Sequence, residues 1–223
     1  MRITPPPSAT AWAPWLDGAR DWLVDRDQRA VGWLLDRARI DGSPIVVQAA
    51  THAEDHERGD GPMAQLAKLG KVATYRSPVG RGATLAHMAN IRLLATAMGT
   101  AAEHSLVATE IPSVPLEGWA MAMGAVDLST GEPTPDTRTD DQREMLETFV
   151  DQLYNGWAHK QVGRRASAYY LPKLAESGLS YGHFLGAVLA IDPGHLDSNS
   201  DIAEMERALP PLWKEQRSKL TRF

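Results

Sequence analysis

The chain has 223 residues, of which 43% are hydrophobic and 23% charged, with a formal net charge of −5. That balance is ordinary for a globular protein, and its sign gives no global field favouring nucleic acid or an anionic membrane. The absence of cysteine excludes disulfides, thiolate zinc sites, iron–sulfur clusters and a cysteine nucleophile.

In chain order, residues 1–14 carry four prolines and little periodicity, which predicts an extended arm. They lack the apolar stretch of a signal peptide, and no run approaches the roughly 18 apolar residues of a membrane span. A cytoplasmic location is therefore the expectation. Residues 15–40 read as helix. Trp15, Ala19, Trp22 and Leu23 share one face and Val31, Leu34, Leu35 and Ala38 another, with a break near Asp25–Asp27 giving two helices. Asp41-Gly42 ends this stretch, and PIVVQAA (44–50) reads as a buried strand.

The next part alternates. MAQLAKLG is a short helix, KVATYRS a second strand and SPVGRG a glycine-bearing loop. ATLAHMANIRLLATAMG reads as a longer helix with a stripe of Leu85, Met88, Ile91, Leu94, Ala95 and Met98, and SLVATEI is a third strand. Strand–helix–strand order implies a parallel sheet with right-handed crossovers. The fold class is thus α/β: a small, Rossmann-like, three-layer core with N-terminal helices and a helical C-terminal region. Residues 15–130 form the α/β domain with its lead-in, and 116–128 carry a helical turn and a fourth strand. The turn-rich stretch 128–140 is a boundary, and 139–223 is helical. There Thr139 and Gln142 suit a capping box. Further helices fall near 163–177, 180–191 and 201–220, with Pro172 kinking the first and Pro210-Pro211 splitting the last.

Ligands of open parallel sheets bind outside the carboxyl ends of the strands, so the loops after the strands carry the functional reading. THAEDHERGDG (51–61) follows the first expected strand. Its first reading is a solvated connection ending in a Gly-Asp-Gly-Pro turn. Its second is a divalent-metal site, because His52 and His56 share a face on a helical turn, with Glu54, Asp55 or Glu57 completing the shell or acting as base. After the second strand comes RSPVGRGAT (76–84). It reads first as a tight turn needing glycine and second as an anion cradle. In the cradle Gly80 and Gly82 open a helix, Arg76 and Arg81 offer bidentate contacts, and Ser77 or Thr84 caps or touches the ligand. After the third strand, Glu110 is either a solvent-facing carboxylate or a general base.

His52, Asp55 and His56 read H-x-x-D-H after a strand, which resembles the T-H-x-H-x-D-H loop of metallo-β-lactamase-fold hydrolases. The likeness covers only these few positions. That family's loop needs one more residue and a further histidine where Ala53-Glu54 stand, and its fold opens with strands, so its activity is not carried over. LPKLAESGLSYGHFLGAVL (171–189) is similar to a repressor-type helix-turn-helix, with Ala175, Gly178, Leu179 and Ser180 echoing the turn. Its spacing is one residue short, Pro172 interrupts its first helix, and its second helix has no side chains suited to base edges. A buried helix packed closely through Gly182 and Gly186 accounts for it better.

Trp15, Trp22, Trp33 and Trp157 fall on apolar helix faces and read as core. Trp12, Trp119 and Trp213 stand near loops or prolines, where interface anchors occur. The leading functional expectation is binding, with or without turnover, of a small anionic ligand such as a nucleotide or phosphorylated metabolite. Arg76, Gly80, Arg81 and Gly82 would hold the anion, Asp55 or Glu110 would act as base, and His52 with His56 would hold a metal. The rival is a non-catalytic assembly protein that uses its Trp12-bearing arm, which would clasp a second subunit, and its helical tail. A weaker rival is nucleic-acid binding through the basic residues of 159–173.

Overall fold

The computed structural model describes residues 5–49, 61–74, 80–153, 156–157 and 160–220. Its centre is a six-stranded sheet, parallel throughout, in the order β3-β2-β4-β5-β1-β6. The strands are β1 (Ala9–Ala13), β2 (Ile45–Gln48), β3 (Lys71–Ala73), β4 (Ala83–Ala86), β5 (Ser105–Thr109) and β6 (Val126–Asp127). Between them run α1 (Arg20–Asp41), α2 (Pro62–Leu69), α3 (Ile91–Thr100) and α4 (Glu117–Met123). Helices α5 (Asp140–Gln152), α6 (Lys160–Glu176), α7 (Tyr181–Ile191), α8 (Asn199–Ala208) and α9 (Pro211–Ser218) follow. None of the described helices is long and apolar enough to cross a membrane.

Strand side chains alternate between two faces, and the two faces build two cores. Ala11, Ala13, Val47, Leu85 and Val107 meet Ala30, Val31, Leu34 and Ala38 of α1, with Leu66 of α2. The opposite set, Trp12, Ala86, Leu106 and Ala108, meets α3 and α4 and continues without interruption into the C-terminal helices. The expected three layers are present. The C-terminal helices are not a separate unit, because they share the second core with the sheet.

The expected capping box forms: Thr139 Oγ1 accepts from Gln142 N–H, and Gln142 Oε1 accepts from Thr139 N–H. Just upstream, hydrogen bonds from Arg138, together with the charge of Arg143, hold the Asp136 carboxyl down to about 2. Helix α6 runs through Pro172, and Pro210-Pro211 separates α8 from α9 as expected.

Four expectations are corrected. Residues 9–13 are not an arm: β1 lies between β5 and β6, with Ala11 and Ala13 fully buried. The lead-in is one helix after a strand, not two helices, since α1 continues through Asp25–Asp27 to the left-handed Gly42. Residues 83–86 are a strand, so the Gly80–Gly82 loop opens β4 and no helix. Alanine's helix preference yields there to burial between two neighbouring strands. Finally, Trp12, Trp119 and Trp213 are core residues, and each indole N–H is satisfied inside, by Thr134 Oγ1, Met98 Sδ and Leu179 O respectively.

Helix α7 lies against α4 at the distance glycine allows. A Cβ built on Gly186 would stand 1.9 Å from the Trp119 nitrogen, and one on Gly118 would stand 2.3 Å from the Gly182 carbonyl oxygen. The close packing expected of Gly186 is present, with Gly118 as its counterpart, whereas a Cβ on Gly182 would meet the Pro115 side chain first, at 3.1 Å; the contact buries the helix-turn-helix-like segment. Gly186→Ala therefore forces the two backbones apart and costs about 3 kcal/mol. It is read as a lower urea midpoint with the denaturant slope unchanged.

Candidate functional site

The chain's crossovers decide where along the sheet a crevice opens. From β1 through β2 to β3 they step one way along the sheet; from β3 through β4 and β5 to β6 they step the other. The reversal falls between neighbouring β2 and β4, and crevices open at such points beyond the carboxyl ends of the strands. At this edge Gln48 ends β2, His87 and Met88 follow β4, and Glu110 follows β5.

Glu110 is a strut. Its Oε2 accepts from Trp15 N–H and its Oε1 from Leu116 N–H, both at 2.7 Å. It thereby ties the loop after β1 to the loop before α4. Burial pushes its carboxyl above the usual range, and the two N–H donors pull against that. A carboxylate committed on both oxygens has little capacity for the base role expected of it.

Arg26, 5% exposed, donates from Nη1 to the Glu110 carbonyl at 3.1 Å and from Nε to Asp27 Oδ1 at 3.2 Å. The second oxygen of Asp27 meets His87 Nε2 at 3.1 Å. Burial raises the Asp27 carboxyl, but the hydrogen bond and charge of His87, with Arg26, outweigh it and leave the group below its ordinary value. An imidazole oriented by a carboxylate is the arrangement from which side chains exchange protons with ligands. Sequence reading missed this pair because it joins the middle of a helix to the residue after a strand then read as helix. Met88 adopts φ +49°, a costly conformation for a side-chain-bearing residue, and its N–H bonds Thr109 Oγ1 at 2.7 Å. That bond fixes the backbone directly after His87. Gln48 is 1% exposed, and its amide nitrogen and oxygen have no hydrogen-bond partner among the described residues.

Between α3, the loop after β5 and the C-terminal helices lies a cavity of about 460 Å³. Asn90, Ile91 and Arg92 line it from the β4 side, and Ser113 and Val114 from the β5 side, so it opens on the carboxyl edge. Tyr181, Asn199, Ile202, Glu206, Arg217 and Leu220 close it from the helical side. Asn90 caps α3, its Oδ1 accepting from Leu93 N–H at 2.8 Å. Arg92 is anchored by its Nε on the Asp197 carbonyl at 3.0 Å. Arg217 pairs with Glu206 Oε1. Burial pushes the Tyr181 hydroxyl up to about 12, so it remains a neutral donor near neutral pH.

The other sequence candidates stand elsewhere. His52, Asp55, His56, Arg76 and Ser77 lie outside the described residues. Gly80, Arg81 and Gly82 stand at the amino end of β4, the edge opposite Glu110. A Cβ on Gly82 would come within 2.3 Å of the Pro44 carbonyl oxygen, so that glycine serves close chain approach. Arg81 faces Glu103 at 3.9 Å, with both side chains exposed. Thr84 is fully buried and bonds the Gly82 carbonyl at 2.8 Å. The placement of Arg81, Gly82 and Thr84 corrects the expectation that this loop shares an edge with Glu110: reading β4 as helix reversed the end of the element on which the loop lies. Among the described residues no three histidine, aspartate or glutamate side chains gather in a metal-holding group.

Two substitutions test this wiring. Glu110→Gln turns an amide NH₂ toward one of two backbone donors and costs about 2 kcal/mol in chemical denaturation. Asp27→Asn costs about 2 kcal/mol near neutral pH, where the carboxylate is charged. Because the folded Asp27 pKa lies below the unfolded one, that stabilisation is complete above the ordinary carboxylate range. It is lost as pH falls through the depressed value, so wild-type and Asp27→Asn stabilities converge in acid.

No protein-family model, curated protein or solved structure matches this chain.

Proposed function

We propose that this chain binds a small anionic ligand in the cavity over the carboxyl edge of its sheet. The observation that carries the reading is the cavity itself. It is a concave space of about 460 Å³ with Arg92 on one wall and Arg217 on the other, within the size range of small-molecule sites. Guanidinium groups give planar, charge-assisted hydrogen bonds to phosphate or carboxylate oxygens. The capped start of α3, at Asn90 and Ile91, adds the positive end of a helix to the same wall. Negative net charge does not by itself oppose this, because the cavity lining carries two arginines against one carboxylate, Glu206.

The reading is tested by thermal unfolding of the full chain with increasing inorganic phosphate, a ribonucleotide and a dicarboxylate. A ligand of the native state raises the melting temperature with concentration. Arg92→Ala and Arg217→Ala are each expected to weaken binding about tenfold, or about 1.4 kcal/mol. Arg81→Ala, at the opposite edge, leaves binding unchanged. If none of the probes shifts the transition, or Arg81→Ala is the only variant that loses the shift, the proposal fails.

A further inference from the structure

We infer that the ligand of this cavity is a phosphorylated ribonucleoside whose vicinal hydroxyls are read by Glu206; the inference rests on the anion-binding reading above. A bare anion explains the two arginines but neither the rest of the lining nor the space. The cavity holds about 460 Å³, far more than one phosphate fills, since a single water's share of liquid volume is about 30 Å³. Part of its wall is aliphatic: Val114, Ile202 and Leu220 offer no hydrogen bond. A flat heterocycle covers such a surface and gains the burial of its apolar faces.

Glu206 supplies the remaining chemistry. A carboxylate in an anion site repels its ligand unless the ligand brings donors to it. Arg217 holds Oε1 of Glu206, and among the described residues no donor reaches Oε2. A fixed carboxylate with an open oxygen, at the edge of a cavity beyond the strand ends, is matched to the adjacent hydroxyls of a ribose, which are donors at close spacing. Arg217 then has two tasks: it orients Glu206 and offsets its charge beside the phosphate. The three parts of the lining thus correspond to three parts of one molecule: arginine to phosphate, aliphatic wall to base, carboxylate to sugar.

Calorimetric titration of the full chain separates the parts. The probes are a ribonucleoside 5′-monophosphate, its 2′-deoxy and 3′-deoxy analogues, ribose 5-phosphate and inorganic phosphate. The ribonucleotide is expected to bind tightest, and each deoxy analogue about tenfold more weakly, the loss of one charge-assisted hydrogen bond. In Glu206→Ala the ratio of ribo- to deoxynucleotide affinity falls to about one. The ratio is the readout, so a general loosening by that variant does not mimic it, and Glu206→Asp, with a shorter carboxylate, retains part of the preference. Equal binding of ribo- and deoxynucleotide overturns the inference, as does ribose 5-phosphate binding as tightly as the nucleotide. If all phosphate probes bind alike and Arg92→Ala weakens them alike, the anion site stands and the ribose reading falls. Binding by none of them removes both.

Discussion

The close contact of α7 with α4 is the constraint on which the remaining geometry depends. Trp119 presents backbone to Gly186, and Gly118 lies against the Gly182 carbonyl, so the helices approach at a separation no larger residue at 118 or 186 permits. That approach seats Tyr181, at the start of α7, against the carboxyl edge of the sheet. Gln216 Oε1 accepts from Tyr181 N–H at 2.7 Å and brings α9 in behind it, carrying Arg217. Trp213 stacks on Phe184 at 4.4 Å between centroids and fills the space beneath. The cavity over the strand ends is what remains between a sheet edge and helices that two glycines have drawn toward it.

A second set of bonds gives that edge its shape. Glu110 holds two loops by their backbones, and Arg26 holds Glu110 by its carbonyl while orienting Asp27 toward His87. Each step uses a buried or half-buried charge with a hydrogen-bonded partner, the condition under which buried charge is tolerated. The result is a polar bracket linking the β1, α1, β4 and β5 segments. It sits beside the arginine-lined cavity on the same edge, so one end of the sheet is charged and ordered. The sheet's two faces, by contrast, are apolar throughout most of their area.

The legible parts were those with a local cause. SLVAT is a short buried run and is β5; Thr139 and Gln142 carry a capping box in four residues; Pro210-Pro211 breaks a helix wherever it stands. β1 and β4 were hidden because ATAWA and ATLA are alanine-rich, and only their neighbours in the sheet make them strands. One such misreading, at β4, was enough to move Arg81 and Gly82 to the wrong edge. Glu110 was visible as a strand-end carboxylate, but its two backbone donors come from Trp15 and Leu116, which no spacing pattern connects. The cavity was illegible for the same reason: Arg92, Glu206 and Arg217 meet only after the C-terminal helices have docked.

The place of β1 in the sheet carries a consequence for how the chain assembles. β1 precedes the other five described strands in sequence yet lies inside the sheet, where it bonds β5 on one side and β6 on the other. Its partners are separated from it by the whole β2–β4 half, so these contacts close a long loop and carry its entropy. During synthesis β1 leaves the ribosome long before the strands that cover it. Until Ser105–Thr109 and Val126–Asp127 arrive, ATAWA exposes both edges and an indole that the finished sheet conceals, and such an unpaired strand invites pairing with another chain. Pro5, Pro6 and Pro7 stand ahead of it, separated from the strand only by Ser8. Proline cannot donate to a ladder, so this triplet limits how far a stray pairing extends while β1 waits for its partners.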